Sequence, residues 1–267
     1  MKRVVAIAGA AAQGSAGIQA DLKTFQERDV YGMSVITATV ANNSQTANGI
    51  FVRELKEIKA QFFAINEMVG IDAIKTGMLF SKEIIELVSD LLDVTAVQHK
   101  VIDPVMIGKM GSQLLADDAI EVLKERLIPK ASIITPNRME AEKLLGERIP
   151  SEWSALEDAT KALYQLGSQS VLMKAGSIND QAVDLYYDGD RMEFIEAPLI
   201  DTVHTSGAGC TFAACLTAEL AKGLPMIDAI KRSKQFVHQS IKHALSFRRG
   251  IGSVRHGASR QFKDSID

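Results

Sequence analysis

Apolar positions follow two alternating rhythms along most of the chain. Short runs that are apolar throughout predict strands buried on both faces, and stretches in which apolar residues return every three or four positions predict helices that cover them. Residues 3–9 form the first such run. A small-residue loop, Gly9 to Gly17, leads into a helix from about Ser15 to Glu27, where Ile18, Leu22 and Phe25 share a face. The same alternation predicts strands over 33–40, 71–76, 100–105, 132–135 and 170–174, and helices over 53–66, 83–92, 119–127, 139–145 and 155–166. Ala182 to Tyr187 and Arg191 to Glu196 flank Asp188-Gly189-Asp190, a hairpin signal, and helices over 208–222 and 226–245 close the chain. The pattern predicts an α/β fold with a mostly parallel central sheet, helices on both faces and one late antiparallel hairpin. Residues 147–154 are linker-like but too short to separate domains, so a single domain over 1–267 is expected.

Composition narrows the partners. A net charge of −3 with no block of like charges lacks the basic footprint of nucleic-acid binding, and no apolar run is long enough to span a bilayer. Lys2-Arg3 before Val4 to Ala12 mimics a secretory leader, yet this run flows through a glycine turn into an amphipathic helix, as a first strand would. The two cysteines, Cys210 and Cys215, are five apart on one predicted helix and cannot readily pair, which points to a reducing, cytoplasmic setting. A small-molecule partner is expected, with no nucleic acid and no membrane.

In parallel sheets ligands bind outside the carboxyl ends of the strands. Polar and turn-forming residues gather at those ends here: the Gly9 loop, Asn42-Asn43, Lys75-Thr76-Gly77, Asp103-Pro104, Thr135-Pro136-Asn137 and Lys174-Ala175-Gly176. No Walker-type loop, dinucleotide fingerprint, hydrolase elbow or zincin helix is present. The segment His204 to Thr211, with two glycines before a long helix, lets several N–H groups converge at a helix N-terminus and suits a phosphate; an ordinary helix cap would use the same residues. Asp103 and Glu140 could hold Mg²⁺ against nucleotide phosphates, or each could cap a turn. Lys174 could pair with phosphate or be a solvated charge. Cys210, in the first turn of its helix, is expected to be drawn toward thiolate and to serve as a general base, with small buried helix residue as the plainer alternative. His204, His238 and His243 show no metal-ligand spacing.

With these residues assembled, the chain resembles the hydroxymethylpyrimidine/phosphomethylpyrimidine kinases, a branch of the ribokinase-like superfamily that also contains pyridoxal kinases. The resemblance runs nearly end to end. It rests on Ala16-Gly17-Ile18-Gln19-Ala20-Asp21-Leu22-Lys23-Thr24-Phe25, Lys75-Thr76-Gly77-Met78-Leu79, Asp103-Pro104-Val105-Met106, Thr135-Pro136-Asn137 with Glu140-Ala141, and Gly207-Ala208-Gly209-Cys210-Thr211. It implies a three-layer α/β/α fold, ATP and Mg²⁺ as cofactors, and transfer of a phosphoryl group to a ring hydroxymethyl group. By position, Asp21, Asn42, Met78 and Val105 would line the ring pocket. Gly207, Ala208, Gly209 and Cys210 would form the catalytic anion hole, with Cys210 where many superfamily members place an Asp base. Asp103 and Glu140 would lie near Mg²⁺, while Asn137, Lys174 and Thr205 would lie near ATP and Lys109 in a mobile flap. The implied acceptor is 4-amino-5-hydroxymethyl-2-methylpyrimidine, with its monophosphate as a further substrate; pyridoxal or pyridoxine is the alternative, and a non-catalytic vitamer-binding homologue a third reading. A homodimer is the one assembly the resemblance suggests. The chain departs from the family pattern in its first loop, where Ala10-Ala11-Ala12 replaces polar residues, and in Ala41-Asn42-Asn43, Ser206 and Ala175.

Overall fold

A computed structural model describes residues 1–46, 48–108 and 114–262. The chain builds one nine-stranded sheet in the order β3-β2-β1-β4-β5-β6-β7-β8-β9. Its strands are β1 (Arg3–Ala11), β2 (Tyr31–Val40), β3 (Ile50–Val52), β4 (Ala73–Thr76), β5 (His99–Ile102), β6 (Ile133–Ile134), β7 (Val171–Ile178), β8 (Gln181–Tyr187) and β9 (Met192–Pro198). The helices are α1 (Ile18–Glu27), α2 (Leu55–Met68), α3 (Lys82–Asp93), α4 (Asp117–Val122), α5 (Arg138–Leu145), α6 (Trp153–Tyr164), α7 (Ala208–Ala221), α8 (Met226–Lys242) and α9 (Ala258–Gln261). From β2 to β7 the pairings are parallel.

Strand periodicity sorts the side chains into layers. Val5 and Ile7 of β1 join Ile74 of β4 in the core shared with α2 to α6, whereas Val4, Ala6 and Ala8 join Ala73, Ile18 and Phe25 in the core beneath α1 and α7. A third cluster links Ile133, Leu172 and Ile195 to Phe212, Leu216 and Ile230 of α7 and α8. Two helical layers therefore sandwich the sheet, as a parallel sheet buried on both faces requires. Fully buried Phe25 and Phe62 each contribute roughly 1.5–3 kcal/mol through apolar burial.

The predicted elements hold with shifts at their ends. β1 runs to Ala11, because Ala10 and Ala11 stay paired to Thr39 and Val40. Gly17, at φ 60°, then turns the chain, and α1 starts at Ile18 rather than near Ser15. The three residues of β3 pair antiparallel with β2, so the sheet has an antiparallel strand at its early edge as well as in the late hairpin. That strand is too short and too exposed to show a period. α4 starts at Asp117 and continues as a π-turn over Leu123–Leu127 and a 3₁₀ turn over Ile128–Lys130. α8 stops at Lys242, three residues before the predicted Leu245. Beyond it a strap, 244–257, returns the chain to the start of α7.

Candidate active site

The N-terminus of α7 sits at the carboxyl end of the sheet and is held by its neighbours rather than by a capping side chain. Gly207 turns the chain at φ 85°, and a Cβ there would fall 1.8 Å from the Ser15 carbonyl oxygen, so only glycine fits between this loop and the first one. Ser206 and Ser15 share a hydroxyl hydrogen bond of 3.1 Å. Gly209 lies within the helix, and a Cβ on it would stand 3.4 Å from Lys174 Nζ, an ordinary contact that brings the ammonium group beside the helix N-terminus. Of the two glycines it is Gly207 that makes the turn. Helix geometry leaves the first N–H groups of α7 without intrahelical partners. Ala208 N–H reaches the Thr205 carbonyl at 3.2 Å and Thr211 N–H the Gly207 carbonyl at 2.8 Å, so those of Gly209 and Cys210 are available to an anion beside Lys174.

Charged side chains from neighbouring elements meet at this place. At the end of β5, Asp103 is almost fully buried and accepts from Thr135 Oγ1 at 3.0 Å and from Lys174 Nζ at 3.2 Å. Burial works against the Lys174 charge, but Asp103 and Glu140 outweigh it and hold its pKa above the ordinary lysine value. Asn137 and Glu140 form a reciprocal capping box at the start of α5: Asn137 Oδ1 accepts from Glu140 N–H at 3.0 Å, and Glu140 accepts from Asn137 N–H at 2.9 Å. Both the capping role and a place near the charged cluster are therefore realised in Glu140. Burial pushes its carboxyl above the usual range, with Lys174 opposing and Asp103 adding to the shift.

Beneath the α7 N-terminus lies a second pair. Lys75 points from β4 into the α1–α7 layer, on the same strand face as Ala73, and donates to both Asp21 carboxylate oxygens at 2.9 Å. Both side chains are fully buried. Burial penalises the Lys75 charge, yet Asp21, Cys210 and Asp103 together raise its pKa, and burial likewise carries Asp21 above the carboxylate range against the pull of Lys75. Sequence patterning does not single out Lys75 as one half of a buried pair; a lysine inside a four-residue strand buried along its whole length is the signal that could have found it. The Cys210 thiol is also raised by burial, with Asp21 and Asp103 adding and Lys75 opposing. The expected drift toward thiolate is corrected: desolvation outweighs the neighbouring ammonium and a hydrogen bond from the Gly17 backbone.

The remaining predicted residues divide. Met78 follows β4 and covers Gly9, where a Cβ would lie 2.4 Å from Met78 Cε, while its carbonyl accepts from Thr37 Oγ1 at 2.9 Å. Phe80, two residues on, holds φ 80°, a left-handed conformation that is costly for a bulky residue and that the sequence does not announce. Val105 is half-buried just past Asp103 and its N–H returns to the Asp103 carbonyl at 2.9 Å. Asn42 is exposed at the end of β2, packed closely on Gly49. Thr205 supports the loop through the carbonyl that accepts from Ala208. Asp21 reaches the cluster through Lys75, with its carboxylate already occupied. Lys109 lies outside the described residues.

An ammonium group beside free helix N–H groups, with two buried carboxylates from neighbouring elements, is an arrangement for moving a phosphoryl group. On this three-layer sheet it defines a kinase of ribokinase-like fold. A family model described as phosphomethylpyrimidine kinase matches residues 12–255. The chain is 44% identical over 264 residues to a hydroxymethylpyrimidine/phosphomethylpyrimidine kinase of Haemophilus influenzae, and 41% identical over 265 residues to a pyridoxine kinase of Bacillus subtilis, with 97% of each chain covered in both cases. An ADP complex of Bacillus subtilis pyridoxal kinase matches with a TM-score of 0.92 at 40% identity, covering 98% of this chain and 99% of that one. The chain belongs to the phosphomethylpyrimidine kinase family and is an ATP-dependent phosphotransferase.

Proposed function

We propose that this kinase transfers the γ-phosphoryl group of ATP to the hydroxymethyl group of 4-amino-5-hydroxymethyl-2-methylpyrimidine, and then phosphorylates the monophosphate. The observation that carries the reading is the convergence of Lys174, the Gly209 and Cys210 N–H groups and the Cys210 thiol on one spot at the end of the sheet. Charge on the transferring group is met there by fixed donors. Asn137 and Thr205 flank the same spot and would contact the nucleotide. Cys210 is the group placed to take the hydroxyl proton; burial holds its thiol above the ordinary value, so the base is the fraction that has lost its proton, a form the adjacent Lys75 ammonium favours against that burial. The hydroxyl oxygen forms the new P–O bond as the bond to ADP breaks, and the proton leaves on the thiol.

The donor set fits Mg²⁺ bound through few protein oxygens. Asp103 and Glu140 are two carboxylates from neighbouring elements, and among the described residues no group of three His, Cys, Asp or Glu forms a metal cage. Mg²⁺ is usually held by one or two carboxylates together with substrate phosphates. When bound it would neutralise phosphate charge.

Relatives of nearly equal identity carry pyrimidine and pyridoxine kinase names, so a pyridoxal or pyridoxine acceptor is the second reading. A mass-spectrometric assay with Mg-ATP and equal hydroxymethylpyrimidine and pyridoxal decides between them. A pyrimidine diphosphate is the expected product; pyridoxal phosphate alone moves the enzyme to the second acceptor, and tight binding without any product supports a silent vitamer-binding protein. A cytoplasmic setting and a homodimer belong to the same reading, supported by two free cysteines and by exposed Phe51 and Val52 on the β3 edge with Leu55 at the start of α2. Among the described residues no helix is long and apolar enough to cross a membrane.

A further inference from the structure

The loop that forms the anion hole is gripped from outside the site by the strap after α8. Ser206 N–H donates to the Gly252 carbonyl and Val254 N–H to the Ser206 carbonyl, each at 3.1 Å, so the residue before Gly207 is bonded through both its backbone groups to one short segment. That segment is itself anchored. Leu245 and Ser253 exchange two backbone bonds of 2.7 and 2.9 Å, Arg255 N–H reaches the Ser240 carbonyl at 2.8 Å, and Gly252 N–H donates to His204 Nδ1 at 2.9 Å. Gly252 has no space for a side chain, since a Cβ would meet the Leu245 carbonyl oxygen at 1.8 Å. The strap ends at His256, a buried imidazole whose Nε2 lies 3.1 Å from Thr211 Oγ1. Thr211 is fully buried in the first turn of α7, directly after Cys210, and its N–H is bonded to the Gly207 carbonyl.

We infer that His256 is a positioning residue for phosphoryl transfer: through Thr211 it fixes the first turn of α7, and with the Gly252–Val254 segment it holds the Gly209 and Cys210 N–H groups on the transferring phosphate. The inference rests on reading that loop as the anion hole. His256 touches no reacting group. Its contact with Thr211 is one hydrogen bond away from the backbone that would bind the phosphoryl oxygens, and small displacements of such donors are costly because the transition state tolerates little misplacement. Ser15 grips the opposite side of the loop through Ser206 and Gly207, so the loop is clamped between the first loop of the chain and its last strap.

The test is kinetic and structural together. His256→Ala and Thr211→Val each remove the same hydrogen bond, and each is expected to lower kcat by about 10–100-fold while leaving KM for ATP within about twofold. The double variant should be no slower than the slower single one, as expected for two ends of one interaction. His256→Gln, whose amide can still meet the Thr211 hydroxyl, should recover most of the turnover. Amide hydrogen exchange over residues 208–211 should quicken in His256→Ala and return in His256→Gln. Unchanged kcat in both single variants, or additive losses in the double, overturns the inference, as does a loss of thermal stability with kcat and exchange intact. An inactive wild-type enzyme would defeat the proposed function instead, and the exchange measurement would still decide whether the strap fixes the loop.

Discussion

The two halves of the site are built on different principles. The proposed phosphate half is largely backbone: the Gly207 turn, the α7 N–H groups and the strap would survive most side-chain exchanges, provided glycine remains where the Ser15 carbonyl comes close. The proposed ring half is built from side chains. It rests on the buried Asp21–Lys75 pair, on Met78 over Gly9, and on an exposed Asn42 at the end of β2. Relatives of 41% and 44% identity carry the two acceptor names. Departures from the family pattern show the same contrast. The alanines of the first loop sit at the end of β1, where their backbone pairs with β2, so strand pairing persists after the polar side chains are gone.

The sharpest test of this contrast removes the charge under the ring half. Lys75→Met strands a buried Asp21 carboxylate and is expected to cost about 3–5 kcal/mol in stability by urea unfolding. Adding Asp21→Leu should restore most of that stability but not turnover, because Cys210 would lack its neighbouring cation. Full recovery of turnover in the double variant would show that the pair only fills space.

Cys210→Ala is expected to lower kcat by roughly 10³-fold, equivalent to about 4 kcal/mol, with KM for ATP nearly unchanged. In the proposed reaction the thiol serves the acceptor, while the backbone that would bind phosphate is untouched. A loss confined to ATP affinity would move Cys210 to the nucleotide side of the comparison.

The strap contributes a pH dependence of stability. Burial, with Lys23 adding and Glu27 opposing, lowers the His256 pKa to about 4 in the folded protein, below the unfolded value of 6.5. Between those values the unfolded chain binds the proton and the folded one does not, so stability falls as pH drops from 6.5 toward 4. This one group is worth about 3 kcal/mol across that window. Thermal melts of His256→Gln should show a shallower acid limb than wild type, and parallel limbs would remove the group from the balance. The smallest effect belongs to the exposed rim: Asn42→Ala should raise KM for the preferred acceptor by about tenfold, roughly 1.4 kcal/mol, with no change in melting temperature.

Local patterning carried most of the architecture, because strands buried on both faces and amphipathic helices each leave a period that no distant contact is needed to read. Asp103, directly after β5, was legible because a parallel sheet places its strand ends together. Glu140 and Cys210 lie in the first turns of α5 and α7, and Lys174, expected at a strand end, is inside β7, which runs on to Ile178. Tertiary structure decided what depends on approach in space. β3 emerges only when β2 offers it an edge, and Lys75 acquires its meaning from Asp21, 54 residues away in the chain. The state of the Cys210 thiol reversed expectation, since burial is a property of the packed layer whereas the helix N-terminus is a property of local sequence. His256 meets Thr211 across 45 residues and carries no motif of its own; its role follows from the path of the strap, which only the folded chain defines.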